Sequence, residues 1–243
     1  MILTQSLNIH EYSPMQKIIE LKRVSKDYPQ AGTHCTVLHE IDLTIEVGEF
    51  VAIVGPSGNG KSTLLNLLTG IDYPSRGEIF VNGSALHQMS GEKLAAWRGG
   101  NVGIVFQFFQ LLPSLNLWQN VVLAMDFLGK LPKRQRRERA MYLLELVGLM
   151  EVAQRLPSQV SGGQQQRAAI ARALANDPAL IVADEPTGNL DAATADSVFQ
   201  LFTHLQAQGK TLVMVTHNES LASAASRKLE ILSGRIHVDS LLV

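Results

Sequence analysis

Four side chains in this sequence have the chemistry to handle a phosphate ester held by a metal: the Lys61 ammonium, the Ser62 hydroxyl and the neighbouring carboxylates of Asp184 and Glu185. Lys61 and Ser62 close the string Gly55-Pro56-Ser57-Gly58-Asn59-Gly60-Lys61-Ser62, which fits G-x-x-x-x-G-K-[ST]. An apolar strand-like run, Phe50 to Val54, precedes it, and a helix-like run, Ser62 to Leu68, follows, which is the context that motif requires. Glycines let such a loop curl until its N–H groups face a polyphosphate, and the helix start adds positive potential. Lys61 then reaches the outer phosphates and Ser62 ligates Mg2+, with Thr63 completing the cradle. The loop predicts binding of a nucleoside triphosphate.

Asp184 and Glu185 end the run Leu180-Ile181-Val182-Ala183. Carboxylates at the carboxyl end of a buried strand face the crevice where ligands of open α/β sheets collect. Asp184 is expected to hold Mg2+ through water, and Glu185 to orient and deprotonate an attacking water. The bland alternative is an Asp-Glu pair capping a surface turn. Ser161-Gly162-Gly163-Gln164-Gln165 precedes a helical run, Arg167 to Leu174, with Ser161 as N-cap. Alone, that string reads equally as an ordinary capped helix with a glycine turn. Beside a phosphate loop already present in the chain, a second phosphate-reading helix end fits best if it serves another subunit's nucleotide.

The elements that must position these groups show in the hydrophobic periodicity. Ile18 to Val24 and Val37 to Ile45 alternate as antiparallel strands with one wet face, and Gly77 to Gly83 resembles them. Leu180 to Ala183 and Thr211 to Thr216 are unbroken apolar runs, as expected of parallel strands buried on both faces. Between Pro113 and Ala175 the pattern turns helical, with Ala140, Leu143, Leu144 and Val147 on one face of Lys133 to Leu149. The organisation expected is a polar leader at 1–16, one α/β domain at 17–236 with a helical insert at about 109–175, and a tail at 237–243. Gly234-Arg235 opens a hairpin strand before that tail frays.

The chain has 243 residues, 46% of them apolar, which suits a folded core. Its single cysteine, Cys35, excludes an internal disulfide framework and fits a reducing compartment. No signal-peptide pattern and no run of roughly 20 apolar residues is found, so a membrane role must come through a partner. A formal net charge of -1 gives no global pull toward nucleic acid. Lys133 to Arg139 holds five basic residues in seven, read as a solvated helix start because no aromatic interleaves them for base stacking.

In their order and spacing these motifs resemble the ATP-binding subunits of ABC transporters, from about Ile18 to Ile236. The resemblance implies a P-loop NTPase (RecA-like) α/β core with an antiparallel β subdomain and a helical subdomain, using ATP and Mg2+. By that resemblance Gln107 is the Q-loop residue touching metal or water, and His217 senses the γ-phosphate. Asn189-Leu190-Asp191 is the D-loop at a dimer seam, where Asp191 also suits the N-cap of the helix Ala192 to Gln208. Tyr28, lying before the first long strand, stacks on adenine. Asn59 departs from the small serine frequent in the loop and is expected to contribute chiefly its backbone.

The string Ala183 to Asp191, Leu111-Leu112-Pro113-Ser114-Leu115 after Gln107, and Arg155 to Val160 resemble the branch of macrolide export, lipoprotein release, peptide-antibiotic resistance and the division-associated complex. The implied partners are a second copy, joined head to tail on ATP binding, and an integral membrane permease with few spanning helices; no nucleic acid is implied. The implied location is peripheral, at the cytoplasmic face of the inner membrane. Within the branch, an ATP-dependent regulator of a membrane complex without transport is the alternative output.

Overall fold

Residues 16–30 and 33–242 are described by the computed structural model, so all of the expected leader but Gln16 lies outside the described residues. In chain order the strands and helices are β1 (Lys17–Gln30), β2 (Thr33–Glu46), β3 (Phe50–Val54), α1 (Lys61–Leu68), β4 (Arg76–Val81), β5 (Ser84–Ala85), α2 (Gly91–Asn101), β6 (Val102–Val105) and α3 (Leu117–Leu128). Then come α4 (Lys133–Leu146), α5 (Gly162–Ala173), β7 (Leu180–Asp184), α6 (Ala192–Ala207), β8 (Thr211–Val215), α7 (Glu219–Ser223), β9 (Arg227–Leu232) and β10 (Arg235–Leu241).

One sheet has the order β10-β9-β3-β8-β7-β6, parallel except for β10. Its central strands send alternate residues into two different cores, as a pleat buried on both faces must. Phe50, Ala52, Ile181, Ala183, Leu212 and Met214 join a cluster with residues of α3, α4, α5 and α6. Val51, Ile53, Leu180, Val182, Val213 and Val215 face the other way, onto α1 and the inner faces of β1, β2 and β4. The second sheet, β2-β1-β4-β5, is antiparallel. The three layers expected from the sequence are therefore present: an α/β core, an antiparallel β lobe and a helical lobe.

Several boundaries differ from the sequence expectation. β1 continues past Val24 through two further register shifts and carries Tyr28, paired with Cys35, inside the strand rather than before it. Bulges break the two-residue alternation there, which hides the strand from a periodicity reading. At the other end β10 pairs with β9 through Leu241↔Arg227, so the ladder runs well into the stretch read as a fraying tail. Arg227 ties that end down by a bidentate pair with Asp239 and a bond to Glu49, contacts invisible in local sequence.

The basic run at the start of α4 is only partly solvated. Arg134 pairs with Glu138 in the open, but Arg136 reaches the Leu131 carbonyl and Asp126, Arg137 lies over the Trp118 ring, and Arg139 donates to Leu174 O and Ala175 O. These arginines staple α4 to α3 and to the end of α5.

Candidate active site

The carboxyl ends of β3, β6, β7 and β8 open onto one cleft of about 550 Å3, lined by Ser57, Gly58, Lys61, Ser62, Gln107, Asp184, Glu185, Gly188 and His217. The phosphate loop is bent by necessity. Gly55 has φ 140°, and a Cβ there would stand 2.2 Å from Ile231 O on β9. The loop can pass the sheet only without a side chain at that point. Lys61 Nζ donates to Gly55 O at 2.8 Å and Pro56 O at 2.9 Å. With those carbonyls turned to the lysine, the loop's N–H groups are left for the cleft. Burial pushes the Lys61 ammonium down, against the pull of Glu185 and Asp184.

Asn59 does more than supply backbone. Its Nδ2 donates to Pro56 O (3.1 Å) and Ser57 O (3.3 Å), and its Oδ1 accepts Ser233 N at 2.6 Å. Ser233 lies in the β9–β10 turn, whose Gly234 O accepts His39 N from β2. This side chain therefore braces the phosphate loop against the β9–β10 turn, so it contributes more than the backbone expected of it.

Glu185 follows β7 in a left-handed conformation, φ 48°, which is costly for a non-glycine residue and recurs where function requires a side chain aimed against the run of the chain. Its N–H bonds to Val215 O at 3.0 Å, which holds the bend to β8. Glu185 Oε1 is 3.0 Å from His217 Nε2. Burial raises the Glu185 carboxyl above the usual range despite His217 and Lys61 nearby, so it is a stronger base than an exposed glutamate. Gln107, past the end of β6, accepts Asn189 Nδ2 on its carbonyl at 3.2 Å, and its amide lies beside Gly188.

The donors available to a cation here are the Ser62 hydroxyl, the Gln107 amide oxygen and the Asp184 carboxylate, all hard oxygens on one cleft. That set fits Mg2+, which takes one or two carboxylates plus phosphate and water oxygens. No group of three or more His, Cys, Asp or Glu residues suited to a metal occurs among the described residues.

Ser161 to Gln165 stand apart from this cleft. Ser161 caps α5 in a reciprocal box: its hydroxyl accepts Gln164 N, and Gln164 Oε1 accepts Ser161 N. The cap lies where the sequence places it, but the helix begins a turn earlier than expected, at Gly162. Gly163 packs on Thr194 in the first turn of α6, and Asp191 caps that helix through Thr194 N (3.0 Å) and Thr194 Oγ1 (2.7 Å). Tyr28 sits partly buried on β1 with its hydroxyl on Asp72 Oδ2 at 2.7 Å, near Thr63 of α1. Asp72, Ser233 and Thr194 escape the sequence reading because their partners lie far away in sequence or carry no motif.

A groove of about 780 Å3 on another face runs between α2, the Gln110 loop and the helical lobe, lined by Ile71, Phe106, Ala124, Phe127 and Arg172 among others. Phe127 is 84% exposed at its rim. Arg172 donates to Phe109 O at 2.7 Å and to Gln110 O, holding two consecutive residues of positive φ. No helix among the described residues is long and apolar enough to cross a membrane.

Known proteins resemble this chain over most of its length. A family profile described as ABC transporter matches residues 38–188. An uncharacterized ABC transporter ATP-binding protein of Thermotoga maritima is 46% identical, covering 91% of this chain and 94% of its own. A lipoprotein-releasing system ATP-binding protein, LolD 1 of Chlorobium chlorochromatii, is 42% identical over 91% of each. A macrolide export ATP-binding/permease protein, MacB of Sodalis glossinidius, is 45% identical over 92% of this chain but only 34% of its own length. Among solved structures, a dimeric ATP-binding cassette in a post-hydrolysis state bound to ADP and Pi superposes with a TM-score of 0.87 at 39% identity, covering 93% of this chain and 99% of that one.

Proposed function

We propose that this chain, which belongs to the ABC transporter family, is the ATP-binding and ATP-hydrolysing subunit of a membrane complex and works as a head-to-tail homodimer with two ATP molecules at the seam. One observation carries the reading. The loop, the carboxylates, Gln107 and His217 share one cleft, whereas Ser161 to Gln165, the second anion-reading helix start, are absent from its lining. Each site is completed by the partner copy's signature. Two cassettes that resemble this chain were solved as dimers, one of them bound to ADP and Pi, which supports the homodimer.

In the closed dimer the phosphate loop and Lys61 hold the polyphosphate, and Tyr28 takes the adenine. Ser62, Gln107 and Asp184 would hold Mg2+, which when bound neutralises charge on the phosphate oxygens. Glu185 accepts the proton of the attacking water, whose oxygen bonds to the γ-phosphorus as the bond to the β–γ bridging oxygen breaks. His217, 3.0 Å from Glu185, meets the charge that gathers on the transferring group. Asp191, at the start of α6, lies on the seam.

The output goes to an integral membrane permease with few spanning helices, docked in the groove rimmed by Phe127, from a peripheral position on the cytoplasmic face of the inner membrane. The lipoprotein-releasing and macrolide-export names of the relatives support this partner class. The reading is tested by sedimentation of the Glu185→Gln protein: a dimer with ATP and a monomer with ADP is the expected result. A protein that stays monomeric with saturating ATP would overturn the shared site.

A further inference from the structure

A buried cation remains that the hydrolytic machinery does not use. Lys26, 8% exposed on β1, donates to Asp72 Oδ1 at 2.6 Å and to Tyr73 O at 2.8 Å, and its Nζ is 4.8 Å from the centre of the Tyr28 ring. Asp72 Oδ1 also accepts Tyr73 N, while Oδ2 accepts the Tyr28 hydroxyl at 2.7 Å. Although burial pushes the Asp72 carboxyl up, the bonds from Lys26 and Tyr28 outweigh it and hold the group below the usual range, so the carboxylate stays charged. Asp72 belongs to the segment that follows α1, the helix opened by the phosphate loop. Thr63, in the first turn of α1, lies near the same phenol.

Fastening that segment to β1 does not require the network. Ser75 N already donates to Ser25 O, and Asp27 N to Ser75 Oγ. What the Lys26 and Asp72 bonds add is a fixed ring: a phenol anchored at its hydroxyl, with a cation along one side, has one orientation to offer.

We infer that Lys26 and Asp72 are positioning residues for base recognition, fixing the Tyr28 ring so that it receives the nucleotide's purine already ordered. This rests on the reading of Tyr28 as the base platform. An aromatic side chain that must be ordered during binding lowers affinity by about two- to tenfold relative to one held in place. The network thus tunes affinity for the base and leaves the phosphate contacts untouched.

The test compares ATP with inorganic tripolyphosphate, each displacing a ribose-labelled fluorescent ATP from the purified protein in Mg2+. Tyr28→Phe, which removes only the anchoring hydroxyl, and Lys26→Met, which keeps the stem, are expected to weaken ATP about two- to tenfold and leave tripolyphosphate unchanged. Tyr28→Ala is expected to weaken ATP further, again sparing tripolyphosphate. If Tyr28→Ala leaves ATP affinity intact, the platform reading itself fails. If Tyr28→Ala weakens ATP while Tyr28→Phe and Lys26→Met do not, the platform stands and the positioning role is overturned. Equal loss of both ligands would make the network a general support of the fold and overturn it as well.

Discussion

Gly163 and Thr194 are in closer contact than any side chain at 163 would allow: a Cβ on the glycine would lie 2.3 Å from Thr194 Cγ2. The threonine has little freedom to retreat, because its Oγ1 donates to Asp191 Oδ2 as part of the cap of α6. The starts of α5 and α6 are therefore one mechanical piece. Gly163→Ala is expected to lower the melting temperature by about 2–10 °C, the overpacking range for a domain of this size, and to cut ATP turnover by more than tenfold. Thr194→Ser removes the offending methyl while keeping the hydroxyl, so the double variant should regain both. Turnover unrestored in the double variant would show that the close approach does not matter.

Glu185 combines two costs, a left-handed backbone and a desolvated carboxylate. Glu185→Gln is expected to reduce kcat by roughly 10²-fold or more while retaining ATP binding, the usual loss on removing a general base. It should also stabilise the protein near neutral pH. The sign follows from the raised carboxyl: the folded state takes up a proton at higher pH than the unfolded chain. The burden of the buried charge is therefore fully present above the folded pKa and relieved as pH falls toward the ordinary glutamate value. The variant's gain in melting temperature, about 2–4 °C for each kcal/mol relieved, should shrink on acidification. A gain that is constant with pH would assign the stabilisation to some other cause. Turnover in the native protein should in turn fall off at a higher pH than an exposed glutamate would give.

Most of this site was legible in the sequence because its parts are local. A glycine loop between a strand and a helix, a carboxylate pair after an apolar run, and a serine three residues before a glutamine each carry their geometry within a few positions. The alternating cores of β3, β7 and β8 were foreshadowed by unbroken apolar runs. Contacts between distant segments were not legible. Asn59 to Ser233, Tyr28 to Asp72 and Gly163 to Thr194 span long stretches of chain, and no periodicity records them. The bulges of β1 hid its true length for a related reason, since an inserted residue resets the alternation on which strand reading depends.

The brace at Asn59 predicts a graded loss. Asn59→Ser is too short to accept the Ser233 N–H and to bridge the loop carbonyls, so three hydrogen bonds go while the backbone cradle remains. ATP affinity is expected to fall about three- to tenfold, with kcat at saturating ATP nearly unchanged. Hydrogen exchange of the Ser233 amide should accelerate in parallel. An unaltered exchange rate would mean that the bond does not hold the turn in solution.

Phe127 offers a way to separate the proposed partner docking from catalysis. Its ring is 84% exposed beside an apolar groove and contributes nothing to the cleft that holds Lys61 and Glu185. An isolated large aromatic so exposed is a burden in water and an anchor in an interface, where such residues dominate the binding energy. Phe127→Asp should leave ATP binding and the ATP-dependent dimer of the Glu185→Gln protein unchanged. It should reduce by at least tenfold the integral membrane protein that co-purifies with Glu185→Gln from native membranes in ATP, measured by quantitative mass spectrometry. Arg172 lines the same groove and holds the Phe109 and Gln110 carbonyls, so Arg172→Ala should lower that recovery too, by loosening the loop that leads back to Gln107. Full recovery with both variants would move the partner to a different face of the protein.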